Sequence, residues 1–330
     1  MPVTLRRGRV TAVTERHDGI VRFEVDGRPC VAYPALTGPV ALGDEVLVNQ
    51  QAVELGLGSG GFDVLYANLT RGLELQGDVR AHVMKLPYTP LQHAVLHAEE
   101  LWEHEPAADL AGLPVVCCSL HSQVVPACAG LGRELRIAYV QVAGGALPVP
   151  LSDTVRALRE AGMVRTTISV GPCVGGEIAC VSAASALAAC SRLGMEAVVC
   201  AIGPGIVGTG SRYGHGALAV AEAATAASAL GGIAVLAARV SAADGRERHR
   251  GLSHHTLAIL ELVGGAARVA WPAGLEVPEE LERVEEVDAS GWREACSGLP
   301  LAHMGRGPDE EPWFFAAAYA AGVLARAGTV

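Results

Sequence analysis

Lysine is almost absent from this chain: Lys85 stands alone among 24 arginines, and aromatic residues make up only 4% of the 330 residues. Charged residues account for 18% and hydrophobic residues for 50%, so the chain can bury a large core and is not intrinsically disordered. Alanine, valine, leucine and 40 glycines supply most of the apolar bulk. The composition therefore predicts a core of small, closely packed side chains.

Several signals that would direct the chain to other classes of protein are also missing. The longest uncharged stretch, 110–132, contains prolines and polar residues, whereas a membrane span needs about 20 mostly apolar residues. The net charge of −10 offers no general basic surface for nucleic acid or an anionic membrane. Nine cysteines without a C-x-x-C pair indicate reduced thiols. We expect a cytoplasmic protein with neither nucleic acid nor membrane as a partner.

Residues 5–51 have the pattern of short strands joined by tight turns. Asp18-Gly19 and Asp26-Gly27 separate alternating apolar runs, and this is a strong short-range signal for hairpins. We predict a small antiparallel β-barrel-like or sandwich-like domain over residues 1–58. The second predicted domain covers residues 59–330, and the glycine-rich stretch 56–61 forms the joint.

From about residue 80, apolar runs alternate with alanine-rich helical segments. This pattern is typical of an α/β domain with a mostly parallel, layered sheet and helices on both faces. The predicted strands are 81–84, 114–117, 137–140, 167–170, 197–200 and 233–236. A helix is also predicted from Thr89, with Gln92 closing a capping box. Its polar face, which includes His93, His97 and His104, is predicted to be solvated.

Three glycine-rich loops follow predicted strands, at 143–148, 171–177 and 203–216. Ligands of parallel sheets collect at the carboxyl ends of the strands, where helix N-termini and glycine amides bind anions. Residues 203–208 fit G-x-G-x-x-G, but the expected acidic residue on the next strand is missing, so this is not a complete dinucleotide fingerprint. We predict an anion-binding set of Gly144, Gly145, Gly203, Gly205, Gly208, Thr209, Gly210, Ser211, Arg212 and Arg248.

A basic loop follows the predicted strand at 233–236. Residues 246–256 contain three arginines and three histidines. Histidine transfers protons near neutral pH, and clusters of arginine and histidine bind anions. We predict His249, His254 and His255 as proton-transfer residues. No metal site is predicted, because no carboxylate stands at ligand spacing.

Two single residues carry further hypotheses. Lys85 is the one lysine in a chain whose other strongly basic residues are all arginine. Its presence suggests a catalytic ammonium group that stabilises negative charge. Cys173, within Gly171–Gly175, matches the spacing of a nucleophile elbow with cysteine in place of serine. Asp244 and one of the loop histidines would complete a triad with it.

The chain resembles an uncharacterised bacterial family that is classed as a domain of unknown function. The resemblance spans nearly the whole chain and rests on the segments 52–58, 67–68, 82–86, 88–90, 120–122, 144–148, 203–210 and 248–256. It implies no established activity, substrate or cofactor, so the cofactor stays unknown. The family pattern does not require a cysteine at position 173, which weakens the nucleophile hypothesis.

The leading functional prediction is a soluble protein that binds a small phosphorylated or carboxylated molecule, such as a nucleotide, at the glycine-rich loops, and the sequence leaves open whether transfer or hydrolysis follows. The first alternative is a non-catalytic ligand sensor or scaffold with the β domain as its partner-binding module. The second alternative is a cysteine-dependent hydrolase. The alanine- and glycine-rich helices leave open packing within one chain or across a homo-oligomer.

Overall fold

The computed structural model describes residues 3–56, 60–72, 75, 77–102 and 109–328. The chain divides into two compact units, Met1–Leu96 and His97–Val330. The predicted domain boundary between residues 58 and 59 lies outside the described residues.

The first unit is built around a closed five-stranded barrel. Its strands are β1 (Leu5–His17), β2 (Ile20–Val25), β3 (Arg28–Ala32), β4 (Glu45–Asn49) and β5 (Asp63–Asn68), in the order β1-β2-β3-β5-β4. β4 pairs with β1 and closes the ring, β3 and β5 run parallel, and the other pairs are antiparallel. Phe23, Val46 and Leu65 are among the apolar residues that fill the interior. The predicted small barrel is confirmed.

The turn signals of the sequence fall where the chain reverses. Gly19 has φ 75°, and Asp26 and Gly27 have φ 51° and 77°, which is the left-handed region that two-residue hairpin turns require. The Asp26 carboxylate also accepts a hydrogen bond from the backbone N–H of Arg9 at 3.2 Å. The same residue therefore supplies the turn conformation and ties the turn to β1.

The remainder of the first unit contains the single-turn helices α1 (Pro34–Thr37) and α2 (Gln51–Glu54) and the hairpin of β6 (Val83–Lys85) and β7 (His93–Val95). The predicted helix from Thr89 is wrong, because these residues belong to the turn of that hairpin. Leu86 and Tyr88 have φ 48° and 58°. The Thr89 hydroxyl donates to the Leu86 carbonyl at 2.8 Å, and the Gln92 side chain accepts from the Tyr88 N–H at 3.0 Å. Gln92 thus caps a turn rather than a helix.

The second unit opens with the short helix α3 (Ala98–Leu101), preceded by His97. His97 was predicted to be solvated, but only 1% of it is exposed. The other predicted face residue in this stretch, His104, lies outside the described residues.

An eight-stranded parallel sheet forms the centre of the second unit. Its strands are β8 (Pro114–Cys118), β9 (Ile137–Val142), β10 (Val164–Val170), β11 (Ile178–Cys180), β12 (Ala197–Ile202), β13 (Ile233–Ala237), β16 (Ala267–Pro272) and β17 (Glu285–Val287), in the order β11-β10-β9-β12-β8-β13-β16-β17. Five of the six predicted strands fall on β8, β9, β10, β12 and β13. The sixth, 81–84, overlaps β6 of the first unit.

Helices cover both faces of this sheet, as predicted. One apolar cluster includes residues of α4 (Val124–Leu131), α5 (Asp153–Glu160), α9 (Trp292–Ala295) and α10 (Pro312–Ala327). The opposite cluster includes residues of α6 (Ala183–Arg192), α7 (Ala219–Ala229) and α8 (His254–Val263). Within the described ranges, none of the helices combines the length and apolarity that a membrane crossing requires.

The adjacent strands β8 and β12 form a topological switch point in the sheet. The connection from β8 passes through α4 to β9, and the connection from β12 passes through α7 to β13, on the other face. Ligands of open parallel sheets bind beside such a point, at the carboxyl ends of the strands. The residues that follow β8, β12 and β13 therefore occupy the position where this type of fold holds its ligand.

Candidate functional site

His121 lies directly at the switch point, three residues after β8. Its Nδ1 lies 3.1 Å from the carbonyl oxygen of Ile202, the last residue of β12, so Nδ1 carries the ring proton. Its Nε2 lies 2.6 Å from the Ser152 hydroxyl, which also caps the N-terminus of α5. His121 thus joins the ends of two strands to the start of a helix, and its role here is to position loops.

Glycines hold the β9 and β12 loops against each other. A Cβ atom on Gly145 would lie 2.2 Å from the Gly203 carbonyl oxygen, and one on Gly216 would lie 1.9 Å from that of Gly144. Backbone hydrogen bonds cross the same contact, including Val207 N–H to the Gly144 carbonyl at 3.0 Å. Gly144, Gly145 and Gly203 are therefore required for backbone packing.

The outer part of the β12 loop is exposed. Gly205, Gly208 and Gly210 lie at the surface, as do Thr209 and Ser211, whose hydroxyls are 2.8 Å apart. Arg212 is exposed and pairs with Glu261 of α8 at 2.7 Å. The predicted anion-binding set thus separates into an inner group that packs backbone on backbone and an outer group that is open to solvent.

Four histidines meet where the β12 loop contacts the loop after β13. The second of these loops runs through β14 (Val240–Ser241), a 3-10 turn at Glu247–His249 and β15 (Gly251–Leu252), and α8 begins at His254. The rings of His249, His254 and His255 have centroids 4.5–4.9 Å apart. His215, from the β12 loop, stacks on His255 at 3.8 Å and lies 5.3 Å from His254. We call these four residues the histidine cluster.

Hydrogen bonds fix the protonation of part of this cluster. The Nε2 of His215 lies 2.9 Å from the Arg212 carbonyl oxygen, so Nε2 carries the proton and Nδ1 presents a bare lone pair. The His215 Nδ1 and the His254 Nε2 are buried and have no hydrogen-bond partner within the described part of the chain. Buried nitrogens in this state usually mark the position of a bound group or water. Ligand atoms of His215, His254 and His255 lie within 4.8 Å of one another.

A buried ion network lies beneath the histidine cluster. Arg239, 1% exposed, donates from Nη1 to His255 Nδ1 at 3.2 Å and from Nη2 to Asp244 at 3.2 Å. Arg246 also binds the Asp244 carboxylate, through Nε at 2.9 Å and Nη2 at 2.8 Å. These contacts fix the base of the cluster and consume both oxygens of Asp244.

A second carboxylate extends the network. Glu311, 1% exposed, accepts from the Ser241 hydroxyl at 2.6 Å and from Arg306 Nε at 2.7 Å, both at Oε1. Its Oε2 has no partner among the residues described. Guanidinium groups therefore meet carboxylates in a largely buried setting, where each unpaired charge is costly.

A scan of protein families matches residues 29–322 to a family described as protein of unknown function (DUF3866). The chain belongs to this family. A comparison with curated proteins gives no match.

Electrostatics keep the histidines of this DUF3866 chain neutral. Burial, reinforced by Arg239, lowers the pKa of His249 to about 3 and that of His255 to about 2. Burial also lowers the pKa of His215 and of His254. The Arg246 hydrogen bonds hold the pKa of Asp244 well below its usual range. At neutral pH the cluster thus consists of neutral imidazoles beside paired ions.

The DUF3866 chain brings the predicted histidine loop and the outer glycine loop together. The Arg248 guanidinium carbon would lie 3.7 Å from a Cβ placed on Gly210, and Arg248 is exposed. Lys85 belongs to the first unit, where it ends β6 and is 2% exposed. Its predicted catalytic role stays a prediction.

The cysteine hypothesis has weaker support in the structure. Cys173 follows β10 and has no exposed surface, which leaves its thiol without access to a substrate in this structure. Asp244, its predicted triad partner, is occupied by Arg239 and Arg246.

Sequence reasoning missed four members of the site: His215, Arg239, Arg306 and Glu311. His215 had a usable signal, since it stands between two glycines in the loop already selected. The other three are ordinary charged residues in the sequence, and only the fold shows that they are buried together.

Proposed function

We propose that the protein binds a small phosphorylated or carboxylated molecule, such as a nucleotide, where the outer β12 loop meets the histidine cluster. The observation that carries this proposal is the position of Arg248. Its guanidinium is exposed beside Gly210, and within the described ranges it forms no ion pair. An exposed guanidinium next to glycine amides at the carboxyl edge of a parallel sheet favours anion binding.

The chemistry that fits this site is group transfer or hydrolysis. His254 is partly exposed, and its Nε2 has no partner among the described residues. A neutral imidazole accepts a proton from water or from an attacking hydroxyl group. His249 and His255, whose rings pack against His254, would orient it, while Gly210 and Ser211 contact the anion.

The test is ligand binding by thermal shift and calorimetry, with inorganic phosphate, adenosine triphosphate and citrate as probes. A ligand at 100 times its Kd stabilises the folded chain by about 2.7 kcal/mol. Arg248→Ala should weaken binding about 10-fold or more, since a charged hydrogen bond contributes about 1.5–3 kcal/mol. Arg250→Ala is the matched control, because Arg250 is exposed in the same loop.

Equal loss in both variants, or no binding of any probe, would overturn the anion site. Binding without turnover of the bound probes would favour a ligand sensor, and the compact barrel unit would then be its partner-binding module.

Reduced thiols support a cytoplasmic location for this function. All nine cysteines are buried, and none is part of a disulfide. Proteins of oxidising compartments commonly use such residues as disulfides.

A further inference from the structure

We propose that His215, His254 and His255 form a binding site for one divalent transition-metal ion of the zinc class. This inference goes beyond the anion site, because it concerns a cation and residues that contact it directly. The three side chains come from two separate loops, and their ligand atoms lie within 4.8 Å of one another.

The direction of the nitrogen lone pairs supports the site. His215 donates its Nε2 proton to the Arg212 carbonyl, so Nδ1 is free to bind an ion. An imidazole held through its other ring nitrogen in this way is the usual arrangement of a metal-binding histidine. His254 adds a second buried nitrogen that lacks a partner within the described residues. Two such nitrogens in one cluster are costly unless a bound group occupies the space between them.

The type of ligand atom determines which metal ions the site favours. Neutral imidazoles suit zinc, cobalt, nickel and copper, whereas magnesium and calcium require oxygen ligands. Asp244, the carboxylate that shares Arg239 with His255, is already bound to Arg239 and Arg246. Three histidines and no carboxylate leave a coordination position open, as in catalytic zinc sites, where bound water loses a proton near pH 7. In the metal-bound protein that water would replace His254 Nε2 as the group that exchanges protons.

Metal binding requires a small rearrangement. A tetrahedral ion with nitrogen ligands at about 2.0–2.1 Å holds them roughly 3.3 Å apart, so the three side chains must close on the ion. The stacked rings of His215 and His255, 3.8 Å apart, must tilt away from each other.

Arg239 competes with the ion for His255. As a donor to Nδ1, it leaves the single ring proton of His255 on Nε2. When the ion binds Nε2, the ring proton of this neutral imidazole moves to Nδ1 and the contact with Arg239 Nη1 is lost, while Arg239 keeps Asp244 as its partner. Binding at neutral pH therefore costs one hydrogen bond of Arg239 and releases no net proton.

The experiment adds Co²⁺ alone to metal-free, full-length protein and records the visible absorption spectrum. We expect saturation at about one equivalent, with the intense visible bands of a four-coordinate nitrogen and oxygen site. Absence of a sulfur charge-transfer band in the near ultraviolet should exclude the cysteines as ligands. Zn²⁺ should displace the Co²⁺ signal.

Variants assign the ligands. His254→Ala and His215→Ala should each weaken Co²⁺ binding at least about 100-fold, more than the loss of an outer-shell partner does. His17→Ala is the control, because His17 lies on β1 of the first unit and should leave binding unchanged. Circular dichroism establishes that each variant is folded, and His254→Gln serves if the alanine variant is not.

The proposal is overturned if wild-type protein takes up no stoichiometric Co²⁺, or if His254→Ala binds it as tightly as wild type. Sulfur charge-transfer bands would also contradict it. Since the titration uses the metal alone, its result is independent of whether phosphate, adenosine triphosphate or citrate binds.

Discussion

At the scale of single residues, Asp244 is the carboxylate that compensates the positive charges of the buried network. It is 3% exposed and faces both Arg239 and Arg246. Removing one partner of a buried ion pair leaves the other charge without compensation, and this costs more than the pair contributed. Arg239 would be the group left without its carboxylate, directly beneath His255.

We therefore expect Asp244→Ala to lower the free energy of unfolding by about 3 kcal/mol, measured by urea denaturation. Asp309→Ala is the matched control, because Asp309 pairs with Arg293 at the surface, where it is 94% exposed. The control should change stability by less than about 1 kcal/mol. Similar losses in the two variants would show that Asp244 is not a buried structural charge.

Residue types alone could predict only part of the candidate site. The loop histidines stood out because His249, His254 and His255 are close together in sequence beside arginines. Glu311 did not, because it comes from the chain 67 residues after Asp244 and carries no local signal. Sequence reasoning assigns a charged residue to the surface by default, because only pairing in the folded structure offsets the free-energy cost of burying its charge.

At the scale of secondary-structure elements, α4 and α10 are packed unusually close. A Cβ atom on Gly130 would lie 2.2 Å from the Tyr319 carbonyl oxygen, and one on Gly322 would lie 2.2 Å from that of Ala127. The backbones of the two helices are thus in contact at the positions where each helix has a glycine. This contact packs α10 over one face of the sheet.

Gly322→Ala should consequently destabilise the protein by about 3 kcal/mol or more, since the added methyl group forces the helices apart. Gly307→Ala is the control, because nothing in the described part of the chain lies within 4 Å of its added Cβ. Thermal unfolding of the two variants provides the measurement. A Gly322→Ala protein with the melting temperature of wild type would contradict the close contact.

Elements with a strong local pattern were predictable, and those decided by tertiary context were not. The central strands β8, β9, β12 and β13 are largely apolar runs, which sequence reading recognises well. The segment from Thr89 carries a helix-capping pattern, yet it forms the turn between β6 and β7. Positive φ at Leu86 and Tyr88 has no signal in these residue types, so local propensity pointed to the wrong structure.

At the scale of the whole molecule, stability should fall on acidification. Burial lowers the pKa of His121 to about 4 and that of His303 to about 3, from the ordinary value of 6.5. Between those values and 6.5 the unfolded chain binds more protons than the folded chain. The contribution of each neutral histidine is therefore complete above pH 6.5 and is lost as the pH falls towards its folded pKa.

Urea denaturation at pH 7 and pH 4.5 tests this pH dependence. We expect His121→Asn to lose roughly 2 kcal/mol less stability than wild type between these two pH values. Parallel pH profiles of the two proteins would contradict a neutral His121 in the folded state.

The closure of the barrel decides how the first unit can meet another protein. β1 pairs with β2 on one side and with β4 on the other, so the five strands have no open edge. Recognition by adding a strand requires unpaired backbone N–H and carbonyl groups along such an edge. An extended peptide therefore cannot join the closed ring as a sixth strand, and a partner of the barrel itself must be recognised through side chains and loops.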